Sequence, residues 1–158
     1  RRDTLIRGFS VLLPWDDFAR ILPLPHDWQR AVCGEVPTAA RIGELRAVLV
    51  CDHGYTAESV PVQHFLGWLE GLEEAELGDD VEFLTGSRRL PRGGWRALSP
   101  PLTIVRRIDD SPNNSDAQLP SVMTCANFLK LPPYSTAAIL AERFSYAVRE
   151  GRRSFQLS

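Results

Sequence analysis

The sequence predicts an α/β (α+β) fold, a small lobe of about four strands with flanking helices, and three observations carry that reading. Ala47-Val48-Leu49-Val50-Cys51 is a compact apolar run with β-branched members, suited to a buried strand. Val62, Phe65, Leu66 and Leu69 recur at i, i+3, i+4 and i+7, which puts one apolar face on a helix. With 158 residues, 44% hydrophobic and 24% charged, the chain has an ordinary globular composition and enough length for one core plus a fragment of another.

Taken in order, residues 1–25 carry Pro14, Pro23 and Pro25 among apolar residues, so only short turns fit there. From Pro25 the pattern turns helical, with Trp28, Ala31 and Val32 on one face and Gly34 as a C-terminal cap. Gly34-Glu35-Val36-Pro37 reads as a linker, which divides the chain into a short helical piece, 1–36, and a main lobe, 37–158. Thr38 is placed to cap a short helix containing Ile42 and Leu45, and Asp52-His53-Gly54-Tyr55 is a turn after the first strand. Ser59 and Pro61 begin the helix of Val62 to Leu69.

Glu70 to Glu82 holds seven acidic residues and is followed by Arg88, Arg89, Arg92 and Arg96, a pattern expected for a solvated face and loop with local charge pairing. Phe83-Leu84-Thr85-Gly86 and Pro91-Arg92-Gly93-Gly94 enclose a loop that needs glycine freedom. Trp95–Leu98 and Leu102–Arg106 read as two strands separated by Pro100-Pro101. Asp109–Gln118 is a polar loop without apolar anchors, expected to be mobile. Ser135 is placed to cap a helix with Ile139, Leu140, Phe144 and Val148 on its stripe and its end at Gly151, and Ser154–Ser158 alternates like a last strand.

A net charge of -2 gives no global reason to expect nucleic acid as a partner. No apolar run approaches the roughly 18 residues that would span a bilayer, and Arg1-Arg2-Asp3 lacks the apolar stretch of a signal peptide, so a soluble protein is expected. Cys33, Cys51 and Cys125 are odd in number and widely spaced, which suggests neither a disulfide framework nor, with His26, His53 and His64, a metal site. Reduced thiols point to the cytosol or nucleus. No Gly-rich phosphate loop ending in Lys-Ser or Lys-Thr is present, and no cofactor is expected.

The chemistry-bearing stretch runs from Leu119 to Tyr134. Cys125 stands between Thr124 and Asn127, bracketed by Leu119-Pro120 and Leu131-Pro132. Proline restricts its own backbone and its predecessor's, so the brackets mark where regular structure starts and stops, and Cys125 falls near the mouth of a short strand. On the residues alone, a small buried hydrophobe and an exposed nucleophile both remain open.

Leu119-Pro120, Thr124-Cys125, Asn127, Leu131-Pro132 and Tyr134, followed by a helical stretch and the end Ser154-Phe155-Gln156-Leu157-Ser158 with Phe155 fourth from last, resemble the catalytic end of HECT-type ubiquitin-protein ligases. The resemblance extends through Asp52-His53-Gly54-Tyr55, Phe83-Leu84-Thr85-Gly86, Pro91-Arg92-Gly93-Gly94 and Leu102–Arg106, and is greatest to the ubiquitin-fusion-degradation branch. It implies that 37–158 is the C-terminal lobe of a HECT domain and 1–36 the end of the N-terminal lobe and hinge. Because a whole HECT domain is far longer, it also implies a fragment without the surface that docks the ubiquitin-conjugating enzyme.

The activity implied is transfer of ubiquitin, accepted as a thioester on Cys125, to a lysine of a protein substrate. Thiol-for-thiol exchange is close to isoenergetic and needs no strong base, so a site without a Cys-His pair is competent. Thr124 and Asn127 would shape the loop, Leu119 and Pro120 would fix its approach, and Phe155 would place the C-terminal tail. Many HECT proteins have His two residues before the nucleophile; here that position is Met123, so no role for that histidine carries over. Two other readings stand beside this one: a cysteine hydrolase of the deubiquitinating type using Cys125 with His53 or His64, and a non-catalytic interaction module.

Overall fold

The computed structural model describes residues 33–107 and 112–155, together with Asp17 and Arg20. The chain divides into two compact units, Arg1–Gly34 and Glu35–Ser158. The turns and the helix expected before Cys33 lie outside the described residues, as do residues 156–158 of the expected last strand.

The second unit is α/β, as its sequence predicts. A 3-10 turn at Ala39–Arg41 leads into α1 (Ile42–Val48), and β1 (Val50–Asp52) follows. Thr38 occupies the N-terminal boundary of that turn without a side-chain cap. Ala47 and Val48 belong to α1, not to the strand: short apolar runs fit either state, and Leu49 N–H still bonds Leu45 O at 2.8 Å. Helix α2 (Val60–Glu70) starts after Ser59 with Pro61 in its first turn, where a missing N–H costs nothing. Its expected face, Val62, Phe65, Leu66 and Leu69, is buried throughout.

Helix α3 (Glu74–Thr85) takes up most of the acidic stretch, which corrects the expected loop. Glu76 reaches back to Glu73 N–H at 3.4 Å, and Gly86 closes the helix in the left-handed region at φ 79°. Leu77, Val81 and Leu84 supply the apolar face that holds it down. The expected charge pairing is present: Arg88 meets Asp79 at 2.5 Å and Glu82 at 3.7 Å, and Arg152 also pairs with Asp79.

Trp95–Leu98 is not a strand. Gly93 and Gly94 both have positive φ, 100° and 68°, and turn the chain into a 3-10 helix at Gly94–Ala97 that buries Trp95. β2 (Thr103–Arg106) follows Pro100-Pro101 as expected. The polar segment Pro112–Ala117 forms 3-10 turns and is anchored: Asp116 accepts from Ser135 N–H at 2.8 Å and from its hydroxyl at 2.7 Å, and its carbonyl accepts from Arg143 at 2.9 Å. These bonds hold the Asp116 carboxyl below the usual carboxylate range.

β3 (Ser121–Met123) and β4 (Phe128–Leu131) complete the sheet, in the order β1-β2-β4-β3. β1, β2 and β4 are mutually parallel, and β3 runs antiparallel to β4. Helix α4 (Ala137–Phe155) begins beside Thr136, whose hydroxyl accepts from Ile139 N–H at 3.2 Å, because Ser135 is engaged by Asp116. It does not stop at Gly151. A Cβ there would lie 3.2 Å from the Phe83 ring, so this glycine serves close approach of α4 to α3, and Ser154 and Phe155 are helical, not a strand.

Strand periodicity splits the sheet into two faces. Ile104, Leu129 and Leu131 enter one core with the buried sides of α2, α3 and α4, where Phe144 stacks against Phe65 at 5.3 Å and edge-on to Phe83 at 5.6 Å. Thr103, Val105, Phe128, Lys130, Ser121 and Met123 point to the other face.

One carboxyl in the helical layer is out of its usual environment. Asp80 is 3% exposed; burial, then the charges of Asp79 and Glu76, push it up to about 7. The Trp68 indole N–H, which forms no well-aligned hydrogen bond with it, offsets part of that rise. Asp80 therefore keeps its proton in the fold while the unfolded chain releases it near 3.8, and its contribution to stability, full below about pH 4, is lost as pH rises to about 7. Asp80→Asn should remove this dependence. In urea titrations its advantage over the parent should grow from near zero at about pH 4 to a plateau above about pH 7, on the order of 4 kcal/mol.

Candidate active site

Cys125 is exposed and sits in the four-residue connection of the β3–β4 hairpin. Thr124–Ala126 makes one 3-10 turn, closed by Asn127 N–H to Thr124 O at 3.3 Å, so the thiol lies in a turn between strands. Pro120 immediately precedes β3 and Pro132 immediately follows β4, the bracketing expected from the sequence.

Asn127 ends the turn at φ 48°, ψ 49°, a left-handed conformation that Asn tolerates better than most residues with a Cβ. Its carbonyl accepts from Thr103 N–H at 2.9 Å, which returns the chain to the sheet, and its Nδ2 donates to Pro100 O at 2.7 Å. It is 8% exposed, so the buried amide has few alternative partners. The Ser99–Pro100 peptide is cis. Thr124 packs where α3 ends: a Cβ at Gly86 would stand 3.6 Å from the Thr124 Cβ.

The flanks are held as firmly. Arg107 Nη1 donates to Leu119 O at 2.6 Å, and Pro120 is buried. The Tyr134 hydroxyl donates to Gln118 O at 2.8 Å and the Tyr55 hydroxyl to Leu131 O at 3.1 Å. Burial pushes the Tyr55 phenol up to about 12 and raises Tyr134 further, so both remain donors at physiological pH. Tyr55, Tyr134 and Arg107 were not singled out as supports by sequence reading. Their partners are backbone carbonyls, which leave no residue-type signature.

A groove of about 380 Å³ runs past Cys125, with Thr124 and Asn127 on its near side and Ser87, Arg89, Leu98 and Ser99 on the other. Arg89 is the only charged residue among the described residues that line it. No histidine among the described residues lines it: His53 lies in the turn after β1 and His64 on α2. The Cys-His proximity that a cysteine hydrolase requires is therefore not found among the described residues. Cys51 is half-buried, and burial, with the charge of Glu58, raises its thiol. Phe155 lies in the last turn of α4, and no group of metal-ligating side chains is found among the described residues.

The family described as HECT-domain (ubiquitin-transferase) matches residues 2–158. The chain belongs to the HECT-domain family. Within it, a probable ubiquitin fusion degradation protein of Schizosaccharomyces pombe is 50% identical over 151 residues, covering 96% of this chain and 9% of the relative. E3 ubiquitin-protein ligase TRIP12 of Danio rerio is 40% identical over 150 residues, 90% of this chain and 7% of the relative. Ubiquitin fusion degradation protein 4 of Saccharomyces cerevisiae is 36% identical over 153 residues, 97% of this chain and 10% of the relative. The chain thus spans a tenth or less of these relatives, two of which carry the ubiquitin-fusion-degradation name, in agreement with that branch.

The Asn127 geometry has a measurable cost. Asn127→Ala should lose both the left-handed tolerance and the bond to Pro100, a destabilisation of about 2–3 kcal/mol in urea unfolding. Asn127→Gly should recover the torsional part, leaving a deficit of about 1 kcal/mol from the lost amide.

Proposed function

We propose that this chain performs the thioester step of a HECT-type ubiquitin-protein ligase. The observation that carries the proposal is an exposed thiol, Cys125, held on a braced hairpin turn beside an open groove, in a chain of the HECT-domain family. In this reading residues 37–158 are the C-terminal lobe and 1–36 the end of the preceding lobe and hinge. The ubiquitin-conjugating enzyme docks on HECT sequence outside this chain, and an exposed thiol suits a reducing compartment, cytosol or nucleus.

The Cys125 thiolate attacks the thioester carbonyl carbon at ubiquitin's C-terminus. A new C–S bond forms, the bond to the conjugating enzyme's sulfur breaks, and that sulfur leaves as thiolate. A lysine amine of the protein substrate then attacks the same carbon; the C–N bond forms, Cys125 leaves as thiolate, and that thiolate takes up the proton which the nitrogen sheds on becoming an amide. The lysine must first give up its ammonium proton. The described residues lining the groove include no carboxylate, so the acceptor of that proton comes from outside this lining.

Thr124 and Asn127 shape the turn, and Leu119 and Pro120 set the strand that delivers it. Phe155 serves to place the C-terminal tail for the lysine step. With Met123 in place of a histidine two residues before the sulfur, neither step passes a proton through that position.

The natural polypeptide carrying this sequence, incubated with ubiquitin, ATP, activating enzyme and conjugating enzyme, should form a ubiquitin adduct that reductant removes. Cys125→Ala should abolish it, and Cys125→Ser should replace it with a reductant-resistant ester. An adduct that survives in Cys125→Ala would overturn the assignment.

A further inference from the structure

We propose that the open face of the sheet is a docking surface for an acidic, apolar-containing segment of the protein substrate, presented beside the acceptor lysine. This rests on the ligase reading and adds the class of substrate it prefers.

The face is built by strand register. Val105 stands beside Lys130, which stands beside Ser121; in the next row Phe128 stands beside Met123. Together with Arg106, Arg107 and His53 at the strand ends, these side chains enclose a concavity of about 650 Å³. The charged residues among its described lining, Arg106, Arg107 and Lys130, are all basic. Arg106 and Lys130 are exposed, and neither forms an ion pair with another described residue. Arg107 directs one nitrogen to Leu119 O. The one carboxylate that the described strands contribute to this face is Asp52, on the edge strand β1, where it faces His53 at 3.5 Å.

The floor is apolar. Met123 is 49% exposed, an unusual exposure for a large apolar side chain on a strand, and Phe128 is half-buried beside it. Cations that form no ion pair with another described residue, set around such a floor, complement a segment carrying both carboxylates and apolar side chains. The net charge of -2 for the whole chain would disfavour acidic partners, so the attraction is local to this face.

Position links the face to chemistry. Met123 is two residues before Cys125 and Phe128 three after it, at the base of the hairpin that carries the sulfur. An extended segment on the face advances about 3.3 Å per residue, so a lysine only a few residues away reaches the thiol. Acidic neighbours of that lysine would be held by Arg106 and Lys130, and the amine itself is left outside the basic rim.

The test compares two short peptides of the same length, each with one lysine and the same Leu and Phe residues, one carrying Asp and Glu and the other Asn and Gln. Fluorescence anisotropy with the 158-residue chain at low salt should show the acidic peptide binding roughly tenfold more tightly, a gap that closes as salt rises. Arg106→Gln with Lys130→Gln should abolish the gap while leaving the unfolding midpoint unchanged, because both side chains are exposed. Backbone amide NMR shifts should centre on Ser121, Met123, Phe128 and Lys130. Equal binding of the two peptides, a gap that persists in the double variant, or shifts centred elsewhere would overturn the proposal. So would a single-stranded oligonucleotide that binds this face more tightly than the acidic peptide. Failure of ubiquitin to form an adduct on Cys125 is a separate result that overturns the ligase reading, whereas a charged thioester discharged equally by both peptides overturns only this one.

Discussion

The structure around the thiol depends on one residue in a left-handed conformation. Asn127 closes the turn with its N–H, rejoins the parallel sheet with its carbonyl and ties the hairpin to Pro100 with its side chain. Three directions are fixed by one residue, so Cys125 stands on a turn whose backbone has little freedom while its sulfur faces solvent. The tyrosine hydroxyls and Arg107 then brace the strands behind it through carbonyls of the same stretch. Thioester exchange needs no buried acid or base, so rigidity with access is what the proposed role would ask of this sulfur.

The legible parts of the sequence were those with a local cause. Pro120 and Pro132 bracket the hairpin because proline acts on its own backbone and that of its neighbour, and the stripe of α2 is buried because its spacing matches the helical period. Where tertiary structure decided the outcome, sequence reading failed. Gly151 looks like a helix stop, yet α4 runs through it because the missing Cβ admits Phe83. Trp95–Leu98 has strand composition, but two consecutive left-handed glycines precede it and its Trp turns inward. Asp109–Gln118 reads as loose because the partners of Asp116, Ser135 and Arg143, come later in the chain. In the site, Cys125 and Asn127 were visible as residue types, whereas the contact of Asn127 with Pro100 spans 27 positions and carries no pattern.

Net charge conceals a polarity in the lobe. Acidic side chains gather on α3, where Arg88 and Arg152 neutralise Asp79 and burial pushes the Asp80 carboxyl up to about 7. Cations without described ion-pair partners gather on the sheet face opposite the core. A chain of -2 can therefore present a basic concavity on the sheet that carries the Cys125 turn, with Lys130 set on that face by strand register.

The beginning of the lobe is fastened in a way that matters to anyone wishing to cut it free. Glu35 exchanges backbone hydrogen bonds with Leu90, at 2.7 and 2.9 Å, and its buried carboxylate takes the Arg41 guanidinium and Gly93 N–H. Arg41 in turn lies where a Cβ on Gly94 would collide with it. Trimming at Pro37, where composition suggests a boundary, would strip Arg41 of one of its two carboxylates and leave Leu90 with an orphaned edge. An excised domain meant to stay intact has to retain Glu35.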